Sequence, residues 1–174
     1  MTMLVRELFN DAPLSPDGLV SLDVQRLLRE PIDIARDWHR AERLLQQVAE
    51  HLPEQLEVQI ALYKMYAYAN CFEASRQLIE QVLQRAAQQA GFQPDWRLLT
   101  PASTPFDTLL TNGIHGPVRL YLYSMKALGF VSLRAGNIAL AEQVLAKLLA
   151  LDPSDEVGGS VVYQMALSLT DDDS

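Results

Sequence analysis

The sequence predicts an all-α fold built from antiparallel helix pairs, and two observations carry this prediction. Apolar residues recur at spacings of three and four positions in several segments, which is the period of an α-helix. One such segment returns along the chain at intervals of about 34 residues. The chain has 174 residues, of which 49% are apolar and 21% are charged, and these values are typical of one globular domain.

The clearest helix pair covers residues 120–153. Its second helix carries one apolar stripe with the spacing i, i+3, i+4, i+7 and i+8, formed by Ala141, Val144, Leu145, Leu148 and Leu149. The turn Ala135-Gly136-Asn137 separates the two helices, and Pro153 follows the stripe, where a proline ends a helix. Residues 120–153 are therefore predicted to form one helix–turn–helix unit.

Two earlier segments repeat this stripe. In residues 39–53 it is followed by Pro53, as the best copy is followed by Pro153, and it consists of Ala41, Leu44, Leu45, Val48 and Ala49. A looser copy in residues 71–83 keeps Ala74, Leu78 and Val82. Ala41 and Ala74 are 33 residues apart, and Ala74 and Ala141 are 67 apart, about two further units. We therefore expect Ala41, Ala74 and Ala141 to occupy equivalent positions in a helical solenoid.

The best copy resembles the tetratricopeptide repeat (TPR) family, whose unit is a pair of antiparallel helices. The family's motif is Trp-x2-Leu-Gly-x2-Tyr, then Ala-x3-Phe, then Pro. Here it appears as Met125-x2-Leu128-Gly129-x2-Ser132, then Ala141-x3-Leu145, then Pro153. The resemblance implies a superhelical array of about three repeats, in which Gly129 lets the first helix approach its partner closely and Gly136-Asn137 forms the turn.

The register of the middle copy makes two further predictions. It places Leu62 at the position of Gly129 and Cys71 at that of Ile138. Cys71 would then begin the second helix of a pair (a second-type helix). This position favours a small buried role for Cys71 over a reactive thiol.

The repeats divide one helical-repeat domain, residues 1–174, into six segments. They are an irregular N-terminal arm (1–20), the first repeats (21–91), a proline-rich loop or degenerate repeat (92–117), the best repeat (118–153), a capping helix (154–170) and an acidic tail (171–174). The leading helix of the first copy is interrupted by Pro31. Ser154 can cap the last helix, and four apolar residues are expected to cover the open end of the array: Val161, Val162, Met165 and Leu169.

The segment 92–117 contains Pro94, Pro101, Pro105 and Pro117, and it has the length of another repeat. It is expected to be a degenerate repeat or an ordered loop packed by Phe92, Trp96, Phe106, Leu109 and Leu110. An extended linker is the alternative.

The candidate partner-binding residues lie on the first helix of each pair. By resemblance to the TPR family, one face of these helices lines a concave groove that binds an extended peptide or a partner helix. The residues on this face are Gln59, Tyr63, Tyr66, Tyr123, Lys126, Phe130 and Arg134. Lys126 and Arg134 are eight residues apart, so they share a face and can hold a carboxylate. The alternative is that the tyrosines pack between helices.

Composition and charge argue against several other classes of protein. The formal net charge is −8, whereas nucleic-acid binders and proteins that adhere to anionic membranes need a basic surface. No segment approaches the roughly 20 apolar residues of a membrane-spanning helix. Arg6, Glu7 and Asp11 interrupt the apolar stretch that a signal peptide needs. Because a single cysteine excludes an internal disulfide, we expect a cytoplasmic protein.

No catalytic residue, metal or cofactor is expected. His39 and His51 are twelve residues apart on one helical segment, His115 has no evident partner residue, and no phosphate-binding or nucleophile motif occurs. The sequence therefore favours a non-catalytic protein–protein interaction module, such as an adaptor, an assembly factor or a dedicated chaperone. Small bacterial secretion chaperones resemble it in length and architecture.

Two further hypotheses stay open. The protein could instead be an effector-sensing regulator that binds a small molecule between the helical array and the proline-rich segment, in a pocket lined by Trp96, Phe106 and His115. It could also form a homodimer through the apolar residues near its N-terminus: Leu4, Val5, Leu8 and Phe9.

Overall fold

The computed structural model describes residues 3–14, Arg26 and 29–172, and these residues are all-α. Their α-helices are α1 (Trp38–His51), α2 (Leu56–Tyr68), α3 (Phe72–Ala90), α4 (Leu109–Asn112), α5 (Gly116–Arg134), α6 (Ile138–Leu151) and α7 (Gly159–Asp172). Short 3-10 helices lie at Val5–Phe9, Trp96–Leu98 and Phe106–Thr108. None of the helices in the described residues has the length and hydropathy needed to cross a bilayer. The leading helix expected in residues 21–31 falls mostly outside the described residues, as do positions 173 and 174 of the acidic tail.

The chain divides into two compact units, Met1–Leu78 and Ile79–Ser174, and the boundary falls within α3. Unit 1 holds α1, α2 and the N-terminal 3-10 helix. Unit 2 holds α4 to α7 and the proline-rich segment.

In unit 1, α1 and α2 pack around one apolar core. Its α1 residues are Ala41, Leu45 and Val48, and its α2 residues are Val58, Ala61, Leu62 and Met65. The 3-10 helix Val5–Phe9 lies against α2 and buries Val5, Leu8 and Phe9 in the same core. The N–H of Val5 donates to the Ile32 carbonyl at 2.9 Å, which ties this segment to the rest of the unit. Since Val5, Leu8 and Phe9 are interior residues, the surface expected to form a homodimer through them is not exposed.

In unit 2, α6 packs against both α5 and α7, and glycines allow the close approach of these helices. A Cβ atom added to Gly129 would lie 2.5 Å from Leu145 Cγ, and one added to Gly159 would lie 2.5 Å from Leu148 Cδ2. A side chain at either position would have to displace the facing leucine of α6. The predicted role of Gly129 is therefore confirmed.

The turns that follow α2 and α5, each the first helix of its pair (a first-type helix), are built alike. The N–H of Cys71 donates to the Tyr66 carbonyl at 2.9 Å, and the N–H of Asn137 donates to the Ser132 carbonyl at 2.8 Å. This is the six-residue bond of a Schellman motif, which needs a left-handed residue just before the donor. Asn70 (φ 62°) and Gly136 (φ 89°) supply it.

The second-type helices α1 and α6 repeat at a separation of 100 residues, and each has 14 residues. Beyond them, the N–H groups of Leu52 and Asp152 donate to the carbonyl four residues earlier, at 2.8 Å in both copies. Three buried or turn residues are identical in the two copies: Ala41 and Ala141, Leu45 and Leu145, Pro53 and Pro153. The sequence repeat between the first and best copies is thus matched by a repeat in backbone hydrogen bonding.

The middle copy has a different register from the predicted one. The N–H groups of Ala41, Ser75 and Ala141 each donate to the carbonyl of the residue just before their helix, four positions earlier. All three residues are fully buried, whereas Ala74 is half-buried. The prediction for Ala74 is wrong because Ser75 fills the small position. Its hydroxyl donates to the Tyr63 carbonyl at 2.9 Å and is therefore satisfied in the interior.

This shift of one residue corrects two further positions. Tyr63, not Leu62, occupies the position of Gly129, and Cys71 occupies that of Asn137, not of Ile138. Cys71 is consequently an exposed residue of the turn, and the buried role predicted for it is wrong.

Residues 92–117 form a folded segment with one turn of helix in α4. The rings of Phe92, Phe106 and Tyr121 make a cluster, with centroids 5.2 Å apart for Phe92 and Phe106 and 4.8 Å apart for Phe92 and Tyr121. The Tyr121 hydroxyl donates to the Pro94 carbonyl at 2.7 Å. Of the residues expected to pack this segment, Leu110 is the exception, since it is 85% exposed.

The last helix, α7, differs from the prediction at its start and on one face. The Asp155 carboxylate rather than Ser154 caps its start, since it accepts from the Ser160 N–H at 3.0 Å. Asp152 accepts from the Val157 N–H at 3.0 Å in the turn before the helix. Hydrogen bonds from Ser160 also hold the pKa of Asp155 below its usual value. Val162 is buried, but three apolar residues are 66%, 49% and 43% exposed: Val161, Met165 and Leu169. Of the four residues expected to cover the open end of the array, only Val162 is thus buried.

Candidate functional site

A stripe of alternating cations and aromatic rings runs along α5. Its residues are spaced by three or four positions and fall within an arc of about 80° on the helix: Arg119, Tyr123, Lys126, Phe130 and Arg134. We call this surface the α5 stripe. It carries three cations and no acid, in a chain whose formal net charge is −8.

The cations of the α5 stripe lie over its rings. Arg119 Cζ is 5.9 Å and Lys126 Nζ is 5.3 Å from the centroid of the Tyr123 ring. Arg134 Cζ is 6.0 Å from the centroid of the Phe130 ring. At these distances the ring quadrupole attracts the cation, so the long side chains are ordered along the helix.

The members of the α5 stripe differ in how much of each is accessible. Arg134 is exposed, Phe130, Lys126 and Arg119 are half-buried, and Tyr123 is buried. The Lys126 ammonium donates to the Val157 carbonyl at 2.9 Å, in the turn before α7. Phe130 and Arg134 therefore form the accessible end of the stripe. Tyr123 is packed in the interior, and Lys126 is held by its hydrogen bond to the turn before α7.

Arg119 belongs to this stripe but was not among the predicted residues. It lies four positions before Tyr123, which is the same spacing that relates Phe130 to Arg134. Extending the helical pattern by one turn toward the N-terminus would have identified it.

In unit 1, two of the three predicted groove residues are buried. Tyr63 is fully buried, and Gln59 is 4% exposed. The Gln59 amide donates to the Pro53 carbonyl at 3.3 Å, while its Oε1 accepts no hydrogen bond among the described residues. Both side chains face the interior in this structure.

Tyr66, the third predicted residue of unit 1, is half-buried and joins α2 to α1. Its hydroxyl donates to Glu42 Oε2 at 2.8 Å and accepts from Gln46 Nε2 at 3.1 Å. Its ring meets Trp38 edge-on, with centroids 6.0 Å apart. Burial, and then the hydrogen bond that Tyr66 donates to the Glu42 carboxylate, raise the pKa of Tyr66 to about 12. Tyr66 is thus a neutral, half-buried hydrogen-bond donor.

The residues considered for chemistry lie apart from the α5 stripe. His39 and His51 are exposed on α1, and His115 is exposed just before α5. Of the three residues proposed to line a small-molecule pocket, Trp96 and Phe106 are buried and His115 is exposed. Within the described ranges, no three histidine, cysteine or acidic side chains come together as metal ligands.

Comparison with known proteins finds a similarity that extends over most of the chain. The chain is 25% identical over 146 residues to a protein of Azotobacter chroococcum mcd 1, "Uncharacterized 19.8 kDa protein in nifW 5'region". The similarity covers 78% of this chain and 80% of that protein. No family model matches the chain, and no solved structure matches it.

Proposed function

We propose that this protein is a non-catalytic protein–protein interaction module of TPR-like helix pairs, which acts as an adaptor, an assembly factor or a dedicated chaperone. The observation that carries the proposal is the α5 stripe, an ordered row of cations and aromatic rings on a first-type helix. In TPR-like arrays such helices present the residues that bind a partner. The repeated turns of the two helix pairs support the same architecture.

The chemistry of the α5 stripe favours an acidic segment that also carries apolar side chains. Arginine guanidinium groups bind carboxylates through two parallel hydrogen bonds, and Arg134 is exposed at the end of the stripe. The half-buried ring of Phe130 offers apolar area beside it. In unit 1, the half-buried Tyr66 offers a second, smaller contact surface.

The rest of the surface would repel an acidic partner, since the chain as a whole is acidic. Binding is therefore directed to the stripe, and its rate should fall as salt screens the attraction. A cytoplasmic location is part of the proposal, because the single cysteine is compatible with a reducing compartment.

The test compares two charge-matched variants as bait. Tagged wild-type chain, a Phe130→Ala/Arg134→Glu variant and an Arg85→Glu variant, altered at an exposed arginine of α3, are used to capture partners from the native host. Binding of a partner segment found in this way is then measured by calorimetry. The double substitution should weaken binding by about 30-fold or more, as expected for the loss of a hot spot, while Arg85→Glu should not. Equal affinity of all three folded chains would refute the α5 stripe as the binding surface.

A further inference from the structure

Asn112 and Gly113 form a pair in which the side chain of one residue can react with the backbone of the next. The chain has four asparagines, and Asn112 is the one that glycine follows. The backbone nitrogen after an asparagine can attack the side-chain carbon Cγ and close a five-membered ring. Glycine has no Cβ to crowd this approach, whereas the other three asparagines precede aspartate, cysteine or isoleucine. The sequence therefore singles out Asn112 among the asparagines.

The structure leaves this pair accessible to water. Asn112 and Gly113 are both exposed, and they lie at the end of α4, a helix of four residues. Gly113 has a φ of 78°, a backbone conformation that favours a residue without a side chain next to the reacting nitrogen. By contrast, the side chain of Asn137 caps the start of α6, where its Oδ1 accepts from the Leu140 N–H at 3.2 Å. Fold and sequence thus favour the same asparagine.

Two hydrogen bonds oppose the reaction and must open first. Asn112 Nδ2 donates to Thr108 Oγ1 at 3.2 Å, and the Gly113 N–H donates to the Leu109 carbonyl at 2.7 Å. Both bonds belong to the single turn of α4, and one turn of helix has little stability of its own. Local opening of this turn therefore releases the carboxamide of Asn112 and the amide of Gly113 together.

We propose that Asn112 is a site of spontaneous deamidation, with water as the other reactant. The Gly113 amide gives its proton to the solvent, and its nitrogen bonds to Asn112 Cγ. The bond from Cγ to Nδ2 then breaks, and this nitrogen takes up protons from the solvent and leaves as ammonia. Water opens the resulting succinimide ring at either of its two carbonyl carbons. The products are aspartate and isoaspartate, and no atom is oxidised or reduced.

Both products change the surface between α4 and α5. Each adds one negative charge at position 112, four residues before α5 begins at Gly116, to a chain whose formal net charge is already −8. In isoaspartate the backbone also runs through the former side-chain carbon, so it is longer by one carbon atom. The aged protein should therefore contain a second, more acidic form that ion-exchange chromatography separates.

Peptide masses from the full-length chain test this proposal. Trypsin releases Asn112 in the peptide 98–119, which contains no other asparagine and no glutamine. A gain of about 1 Da in this peptide therefore reports Asn112 alone. After incubation of the folded chain at neutral pH, the gain should appear in two separately eluting peptides, one with aspartate and one with isoaspartate. A digest made before incubation supplies the baseline.

The other asparagines are controls within the same chain. The peptides that contain Asn70 and Asn137 should gain mass much more slowly. The gain at Asn112 should also become faster as the pH is raised, because the Gly113 amide must lose a proton. An unchanged Asn112 peptide, an equal gain at Asn70, or aspartate without isoaspartate would overturn the proposal.

Three variants test the route. Asn112→Gln keeps the carboxamide but requires a six-membered ring, so its peptide should keep its mass. Thr108→Val removes the hydroxyl that holds Asn112 and should speed the gain about fivefold, as expected for one lost hydrogen bond. Thr111→Val, at an exposed position of the same turn, should leave the rate unchanged. Equal rates in the wild-type and Thr108→Val chains would contradict the restraint by α4. These measurements need no partner protein, so their outcome is independent of the function proposed for the α5 stripe.

Discussion

Gly129 determines how closely α5 and α6 pack, because no side chain fits at this position. The nearest atoms to an added Cβ belong to Leu145, at 2.5 to 3.0 Å. Gly129→Val should lower the free energy of unfolding by about 3 kcal/mol through overpacking. Urea unfolding followed by circular dichroism measures the loss.

Two further variants separate this contact from a change in helix propensity. Leu145→Ala costs stability by itself, but in a chain that already carries Gly129→Val it should cost less, because it makes room for the valine. Ala146→Val, at an exposed position of α6, is the control and should cost no more than about 0.5 kcal/mol. Strict additivity of the two buried substitutions would show that the helices do not meet at Gly129.

Tyr66 should make the stability of unit 1 depend on pH in the alkaline range. The pKa of Tyr66 is raised to about 12 from 10.0, first by burial and then by Glu42. A pKa raised in the folded chain gives stability that is complete below about pH 10 and is lost as the pH rises toward about 12. Tyr66→Phe should be less stable than wild type by about 1 kcal/mol at neutral pH, and this difference should shrink over that range.

Urea unfolding at a series of pH values measures this difference. Tyr68→Phe, which alters an exposed tyrosine two positions away, serves as the control and should show neither effect. A constant difference between wild type and Tyr66→Phe up to about pH 12 would mean that folding does not raise the pKa of the Tyr66 hydroxyl.

At the scale of elements, lysines connect helices to the irregular segments. The chain contains three lysines, and each ammonium group donates to a backbone carbonyl outside its own helix. Lys64 of α2 binds the Leu8 carbonyl, Lys126 of α5 binds that of Val157, and Lys147 of α6 binds that of Leu99. The Leu8 and Leu99 carbonyls lie at the ends of 3-10 helices, where exposed carbonyls favour a cation.

Removing one of these contacts should loosen one segment. Lys147→Met keeps the length of the side chain but loses the hydrogen bond to Leu99. Hydrogen exchange of backbone amides in residues 96–112 should then become about fivefold faster, equivalent to about 1 kcal/mol, while α5 and α6 keep their protection. Gln143→Met, at an exposed position of the same helix, should leave the segment unchanged. Slower or equal exchange in the Lys147→Met chain would contradict the role of this contact.

The sequence predicts the helices more fully than it predicts their faces. The units around Ala41 and Ala141 could be recognised because an apolar stripe, a turn and a proline coincide. The middle copy could not be placed correctly, because the sequence does not show that Ser75 is buried. Its burial depends on the hydrogen bond from its hydroxyl to the Tyr63 carbonyl. Similarly, the spacing of Tyr63 and Tyr66 puts them near one side of α2, but only the fold shows which of the two is covered. The α5 stripe was largely predictable because its pattern lies within one helix.

At the scale of the whole molecule, the two units contain corresponding core residues. Val48 and Leu148 are 100 positions apart and are both almost fully buried, one in each unit. Val48→Ala should reduce amide protection mainly in α1 and α2, and Leu148→Ala mainly in α5 to α7, each by about 2 to 4 kcal/mol. Native-state hydrogen exchange measures both variants. Equal loss of protection in both units from either substitution would show that the chain unfolds as one cooperative body.

The lysine contacts have a practical consequence for the search for partners. Reagents that acylate primary amines need a free, unprotonated lysine, and every lysine side chain of this protein is held by a carbonyl oxygen. Cross-linkers of the succinimidyl-ester type should therefore react slowly with the folded chain and under-represent its neighbours. Photoreactive groups introduced beside Arg134 suit the α5 stripe better. Carbodiimide activation of the protein's many carboxylates suits the rest of its acidic surface.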